Sequence, residues 1–208
     1  MEMLVPLHRG SDGLAEQHCW SHQRLGSVWL SLLWMDRKRP RAPEAIDALE
    51  RRIGVPLPDR FKQYLTVMDG QNDLGRDHPL IGFNRFLPIA HIIETMDMQR
   101  FHFGDEDRIE WMTENMIQSV MWDSRWVPFS VFEGSPRLIL DLHPGRNGTY
   151  GQVWQDWPGR DREDDGTVIA PTFVEFSTEL LRRLTTGSVV ADDDGTLSFP
   201  RAGGYWLV

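Results

Sequence analysis

Two pairs of side chains have spacings that chemistry uses. His18 and His22 stand four residues apart, which on a helix brings two imidazoles onto one face, able to share a metal ion. The residue after His18 is Cys19, where a helical zinc-protease motif would carry its glutamate base, so the pair reads as solvated helix histidines. Asp141 and His143 are two residues apart and share a face if one strand holds both. A carboxylate orienting an imidazole is the core of general acid–base catalysis. A hydrolase using His143 and Asp141 is the remote reading, because no third partner follows from sequence. Asp105 to Asp107, DED, lacks the ligand spacing and central glycine of a calcium loop. Gly145, Gly148 and Gly151 lead into GQV, a strand-like run and not a helix that could receive a pyrophosphate. Nucleophile elbows, phosphate-binding loops and Cys–Cys metal spacings are missing. The expectation is no metal, no cofactor and no catalysis.

Composition narrows the partner. The chain has 208 residues and a formal net charge of −9. An acidic balance argues against direct nucleic-acid binding, which needs clustered Lys and Arg to displace counterions, and it suits a basic protein partner. One cysteine, Cys19, excludes an internal disulfide framework and favours a reducing compartment. The first residues carry no basic-then-apolar signal pattern, and the longest apolar run, Val28 to Met35, is broken by Ser31 and too short to span a bilayer. The expected location is the cytoplasm, without a membrane contact.

The elements that must position any site are punctuated clearly. In residues 42–71, APEAIDALERRIGVPLPDRFKQYLTVMDGQ, Pro43 and Glu44 suit a first helical turn. Ile46, Leu49 and Ile53 form one apolar face, and Gly54 and Pro56 stop the helix. Pro58 and Asp59 open a second helix whose face is Phe61, Tyr64, Leu65 and Met68, ended by Asp69 and Gly70. Ahead of the pair, Leu25, Val28, Trp29, Leu32 and Leu33 repeat at helical steps within 14–39. Beyond Gly70, short strands are expected at 80–83 and 86–89, split by a turn at Asn84 and Arg85, and helices at 91–101 and 106–121. Strands follow at 126–132, 138–142, 151–154 and 168–170, each bounded by Gly, Pro, Asn or Asp. Thr172 to Glu175 is a capping box opening a helix with Phe173, Phe176, Leu180, Leu181 and Leu184 on one face. The tail reads as a hairpin, 189–191 with 197–199, then a loose end at 200–208. The order gives an α+β fold: N-terminal helices, a largely antiparallel sheet, and a C-terminal helix packed on it. The organisation is an extension over 1–39, a domain over 40–187 and a tail over 188–208.

The helix–GVPLP–helix–DGQ grammar resembles the start of the SUKH superfamily, whose members include the yeast Smi/Knr cell-wall assembly regulators and many bacterial immunity proteins. The second half carries the resemblance independently. WVPF at 126–129 is similar to the family's W-x-P strand and LILDL at 138–142 to its L-x-LDL strand. PGRNGTYGQV at 144–153 resembles its glycine-rich loop and GQV strand, and APTFVEF at 170–176 its last helix entry. Gly134 to Arg137, GSPR, departs from the Gly-Asp or Gly-Asn common in the family after the W-x-P strand. The resemblance spans roughly 40–186 and implies a non-catalytic protein-binding module. The reading is an immunity-like protein that binds and neutralises a toxin domain. The alternative is a scaffold or regulator related to cell-wall glucan synthesis and signalling.

Residue roles follow from the elements. Trp126 and Phe173 read as core, Gly151 as a backbone turn, and Asp141 as a strand carboxylate held by hydrogen-bond donors. The partner surface is expected on Asp69 and Gln71 at the end of the second helix, on Gln152, and on Asp161, Glu163, Asp164 and Asp165. The last four lie in a charged loop, 156–166, that would steer a basic toxin or nuclease domain.

Overall fold

The computed structural model describes residues 43–71, 81–82, 84–104, 107–109, 115–132, 135–136, 138–156, 168–191, 193, 196–201 and 204–206. The helix expected within 14–39, with His18, Cys19 and His22, lies outside them, as do Asp161, Glu163, Asp164 and Asp165.

The first two helices form where the sequence punctuates them. Helix α1 (Pro43–Ile53) buries Ile46, Leu49 and Ile53, and Gly54 ends it with its N–H on the Glu50 carbonyl at 2.9 Å. Helix α2 (Asp59–Val67) buries Phe61 and Leu65. Strand β1 (Arg85–Phe86) follows, then helix α3 (Ile89–His102), which packs against α1 and the first strand of the central sheet. That sheet has four antiparallel strands in the order β2 (Trp126–Pro128), β5 (Leu138–Asp141), β6 (Gln152–Gln155), β7 (Val168–Ala170). Strands β3 (Ser130–Phe132) and β4 (Ser135–Pro136) join β1 in a second sheet. Helix α4 (Phe173–Thr186) packs on β6, β7 and α2.

Cross-strand register assigns each central-sheet residue to a face, because opposed residues point the same way and neighbours along a strand alternate. Trp126 opposes Asp141, which opposes Gln152, and Ile139 opposes Trp154. One face therefore carries Trp126, Ile139, Asp141, Gln152 and Trp154. The Trp126 and Trp154 rings meet edge to face at 5.0 Å. Val127, Leu138, Leu140 and Val153 take the other face. There Phe129, just beyond β2, meets Phe61, Phe173 and Phe176 at ring separations of 5.7, 5.8 and 5.8 Å. Both faces are covered, which is why these strands are apolar without strict alternation.

Three expectations are corrected. The helix expected over 106–121 is absent from the described residues there, where Arg108 is bridged to Val120 and the Ile109 N–H bonds to the Ser119 carbonyl. The bridge sets 108–109 beside 119–120, a pairing between separated residues that helical spacing does not reveal. The turn expected at Asn84 and Arg85 comes earlier: Ile81 bridges Asn84 around Gly82, Arg85 is already in β1, and Ile89 starts α3. The tail is not loose. Strand β8 (Val190–Ala191) pairs with β9 (Leu197–Ser198), and β10 (Pro200–Arg201) with β11 (Gly204–Tyr205). This brings Leu197, Phe199 and Trp206 into the core, because three large apolar groups gain more from burial than from solvent.

Candidate functional site

The polar residues of the second-helix exit act inside the fold. The Asp69 carboxylate accepts from the Ile89 N–H at 2.9 Å, satisfying one of the orphan donors at the start of α3. Gly70 has φ +77°, and a Cβ there would lie 2.3 Å from the Pro88 nitrogen, so only glycine lets the two backbones meet. Gln71 clamps Phe86 from two directions: its N–H donates to the Phe86 carbonyl at 3.0 Å, and its side-chain oxygen accepts from the Phe86 N–H at 2.8 Å. Asp69 and Gln71 are buried. Both were expected on the partner surface; in the structure the bonds above fasten β1 and α3 to the end of α2.

A second polar junction sits under the glycine-rich loop at 143–151. Gln152, also expected on the partner surface, is fully enclosed. Its amide nitrogen donates to the Asp141 carboxylate at 2.8 Å and to the Met116 carbonyl at 2.6 Å. Its amide oxygen accepts from the Thr149 N–H at 3.0 Å. Asp141 receives its second bond, at 2.8 Å, from the His143 N–H. Burial pushes the Asp141 carboxyl up to about 6, against the lowering effect of these two neutral donors.

The loop above is pressed onto residues 115–118. Gly145 N–H donates to the Met116 carbonyl at 3.0 Å and Asn147 N–H to the Asn115 carbonyl at 2.8 Å. A Cβ on Gly148 would lie 2.2 Å from the Met116 carbonyl oxygen, so this glycine is required by close approach, at a backbone angle other residues could adopt. Gly151, with φ +80°, turns the chain into β6 beside Pro58. On the outer side the Tyr150 hydroxyl donates to the Pro56 carbonyl at 2.5 Å. The GVPLP connector, the glycine loop and the β5–β6 pair thus converge on one patch.

The acid–base pair weighed from sequence does not form. His143 touches Asp141 only through its backbone N–H; its Nδ1 lies against the Asp123 carboxylate and the Arg125 guanidinium. Nδ1 donates to Asp123 or accepts from Arg125 and cannot do both. With Nδ1–H on Asp123, Nε2 can accept from the Gln118 amide, 3.4 Å away. Gln118 also donates to the Pro144 carbonyl at 2.9 Å. Asp123 was missed by sequence reading; its only local signal is an Asx turn, its carboxylate accepting from the Arg125 N–H at 2.8 Å. Trp126 is fully enclosed, and Phe173 is buried against Phe61 at 4.9 Å. Among the described residues, no group of three or more His, Cys, Asp or Glu side chains could hold a metal ion, and no helix is long and apolar enough to cross a membrane.

Helical entry, polar fastenings and glycine loop around one antiparallel sheet define an α+β domain that spends its signature polar residues on its own architecture. Residues 40–179, more than half of the chain, match the SMI1 / KNR4 family (SUKH-1), and the chain belongs to that family. No curated protein matches the chain.

Proposed function

We propose that this protein is a non-catalytic binding module of the immunity type, which recognises a toxin domain and neutralises it by covering its working surface. Family membership over residues 40–179 carries the reading, since the family is one of protein-interaction modules. The pair that sequence suggested for hydrolysis is not formed: Asp141 is enclosed and bonded to two neutral donors, the His143 backbone N–H and the Gln152 amide, and does not orient the His143 imidazole. A cytoplasmic location fits a partner met before it acts.

The partner is a basic domain, such as a nuclease, and the acidic loop steers it. The chain is acidic overall, at −9, and Asp161, Glu163, Asp164 and Asp165 concentrate that charge beside only Arg160 and Arg162. Charge complementarity mainly accelerates encounter and is screened over about 8–10 Å at ordinary ionic strength. Affinity capture from the native cytoplasm, followed by assay of the captured proteins for nuclease or other toxic activity, identifies the partner. Exchanging Asp161, Asp164 and Asp165 for Asn should then slow association by about tenfold at low salt and flatten its salt dependence, with stability unchanged. Association at the parent's rate at both low and high salt would remove the loop from the mechanism.

The regulatory reading, a scaffold tied to cell-wall glucan synthesis, draws on the same family. Capture of cell-wall synthesis or signalling proteins, with no toxic activity among the captured set, would favour it.

A further inference from the structure

Asp141 is a buried carboxylate whose two oxygens face only neutral donors, the His143 N–H and the Gln152 amide, each at 2.8 Å. The charged groups nearby belong to two segments. Asp123 and Arg125 come from the turn before β2, and His143 from the loop. Asp123 works against ionisation of Asp141, and His143 for it. Among the described residues, the other neighbours are uncharged: Trp126 opposite on β2, Gln152 on β6, and Met116 and Gln118 on the segment under the loop. A carboxylate so placed gains a proton more readily than one in water.

An added proton has no good place in the present arrangement, because each Asp141 oxygen already meets a donor. The side chain already bonded to Asp141, the Gln152 amide, can accept it after rotation about its terminal torsion. That rotation aims the Gln152 oxygen at the Asp141 hydroxyl. It also sets the same oxygen against the Met116 carbonyl, now 2.6 Å from the amide nitrogen, and the amide nitrogen against the Thr149 N–H. One hydrogen bond is kept and two are exchanged for repulsions. One loss falls between Gln152 and Met116 and the other between Gln152 and Thr149 of the loop, so Gln152 no longer ties the 143–151 loop to the segment beneath it.

We propose that Asp141 and Gln152 form a proton-operated latch on the glycine-rich loop: ionised Asp141 holds the loop down on residues 115–118, and uptake of one proton turns the Gln152 amide over and loosens it. The carboxyl is held up to about 6 by burial, so the latch works between mildly acidic and neutral conditions. Arg146, Asn147, Thr149 and Tyr150 are the exposed side chains of that loop, and their presentation to any protein changes with it.

The test is an amide-resolved magnetic resonance titration of the full chain from pH 4.5 to 8. The Gln152 side-chain amide and the Thr149 and His143 backbone amides should share one midpoint near the Asp141 value. Protection of the Gly145 and Asn147 amides, corrected for intrinsic exchange, should fall about five- to tenfold below it, as the loss of one or two modest hydrogen bonds implies. Asp141→Asn should abolish the shared midpoint. His143→Gln should keep it, which separates the carboxylate from the imidazole beside it. Direct carbon detection of the Asp141 carboxyl in the parent serves if Asp141→Asn folds poorly. The latch is overturned if the carboxyl titrates near 4, if the Gln152 amide is flat across the range, or if the midpoint vanishes in His143→Gln.

Discussion

A carboxylate fed by neutral donors inside a sheet has a thermodynamic signature beyond its local geometry. Asp141 binds its proton more tightly in the fold, at about 6, than at its ordinary value of 3.8. The protonated form thus contributes stability that is fully present below about pH 4 and lost as pH rises through about 6. The gap between the two values corresponds to about 3 kcal/mol. Glu179 works in the opposite sense: its bonds to Arg182 and Arg183 hold it down to about 2, so its contribution is present above its unfolded value and lost only as pH falls through that lower one. Between pH 4.5 and 7, therefore, Asp141 can be read apart from Glu179. Relative to Asp141→Asn, the parent should lose about 2 kcal/mol of urea-derived stability over that interval. Parallel profiles for the two proteins would show that the carboxyl titrates at its ordinary value. The same residue shows what sequence could supply: its position between Leu140 and Leu142 pointed to a carboxylate in need of donors. Its donors come from His143 and, across the sheet, from Gln152. The second of these depends on strand pairing, as does the meeting of Asp123 with His143, and a linear pattern does not encode either distance.

Elements were legible where periodicity and punctuation agree. Helix α4 starts one residue after Thr172, whose hydroxyl accepts from the Glu175 N–H at 3.2 Å and donates to the Glu175 carboxylate at 3.0 Å. Its buried face includes Phe173, Phe176 and Leu184. Leu181, placed on that face by spacing, is exposed, because α4 meets the sheet along a narrower stripe than the apolar residues occupy. The four-strand sheet was legible because β-rich runs were bounded by turn residues; β4, β10 and β11 were not, since strands of two residues leave no periodicity to detect. Element-level energetics can be separated by substitution. Phe173→Ala should cost about 3–5 kcal/mol, because its ring touches Phe61, Tyr64, Phe129 and Phe176. Thr172→Ala should cost about 1 kcal/mol, the worth of an N-cap. Val174→Ala, on the exposed side of the same turn, should stay within about 0.5 kcal/mol. Urea melts of the three rank the buried face, the cap and the surface, and a silent Phe173→Ala would remove this helix face from the core.

At the scale of the molecule, the family match ends at residue 179, inside α4, yet the core does not. Leu197 and Phe199 are fully enclosed and Trp206 is nearly so. The tail is tied in through backbone as well as side chains: the Gly82 N–H donates to the Leu197 carbonyl at 2.8 Å, and the Trp206 N–H to the Phe199 carbonyl at 2.8 Å. Trp206 stacks on Phe176 at 5.7 Å and meets Phe199 edge to face at 6.0 Å, with the Arg183 guanidinium 4.9 Å from its ring. The tail therefore closes the end of the aromatic core that begins at Phe61 and runs through Phe129, Phe173 and Phe176. Large aromatic truncations in such settings cost about 3–5 kcal/mol, so Trp206→Ala should lower the stability of the full chain by that amount. Arg183→Ala removes a cation above the ring and should cost about 1 kcal/mol. Trp206→Phe, which keeps a ring in place, should recover more than half of the alanine loss. If Trp206→Ala melts with the parent, the two terminal hairpins are an appendage and the folding unit ends with α4.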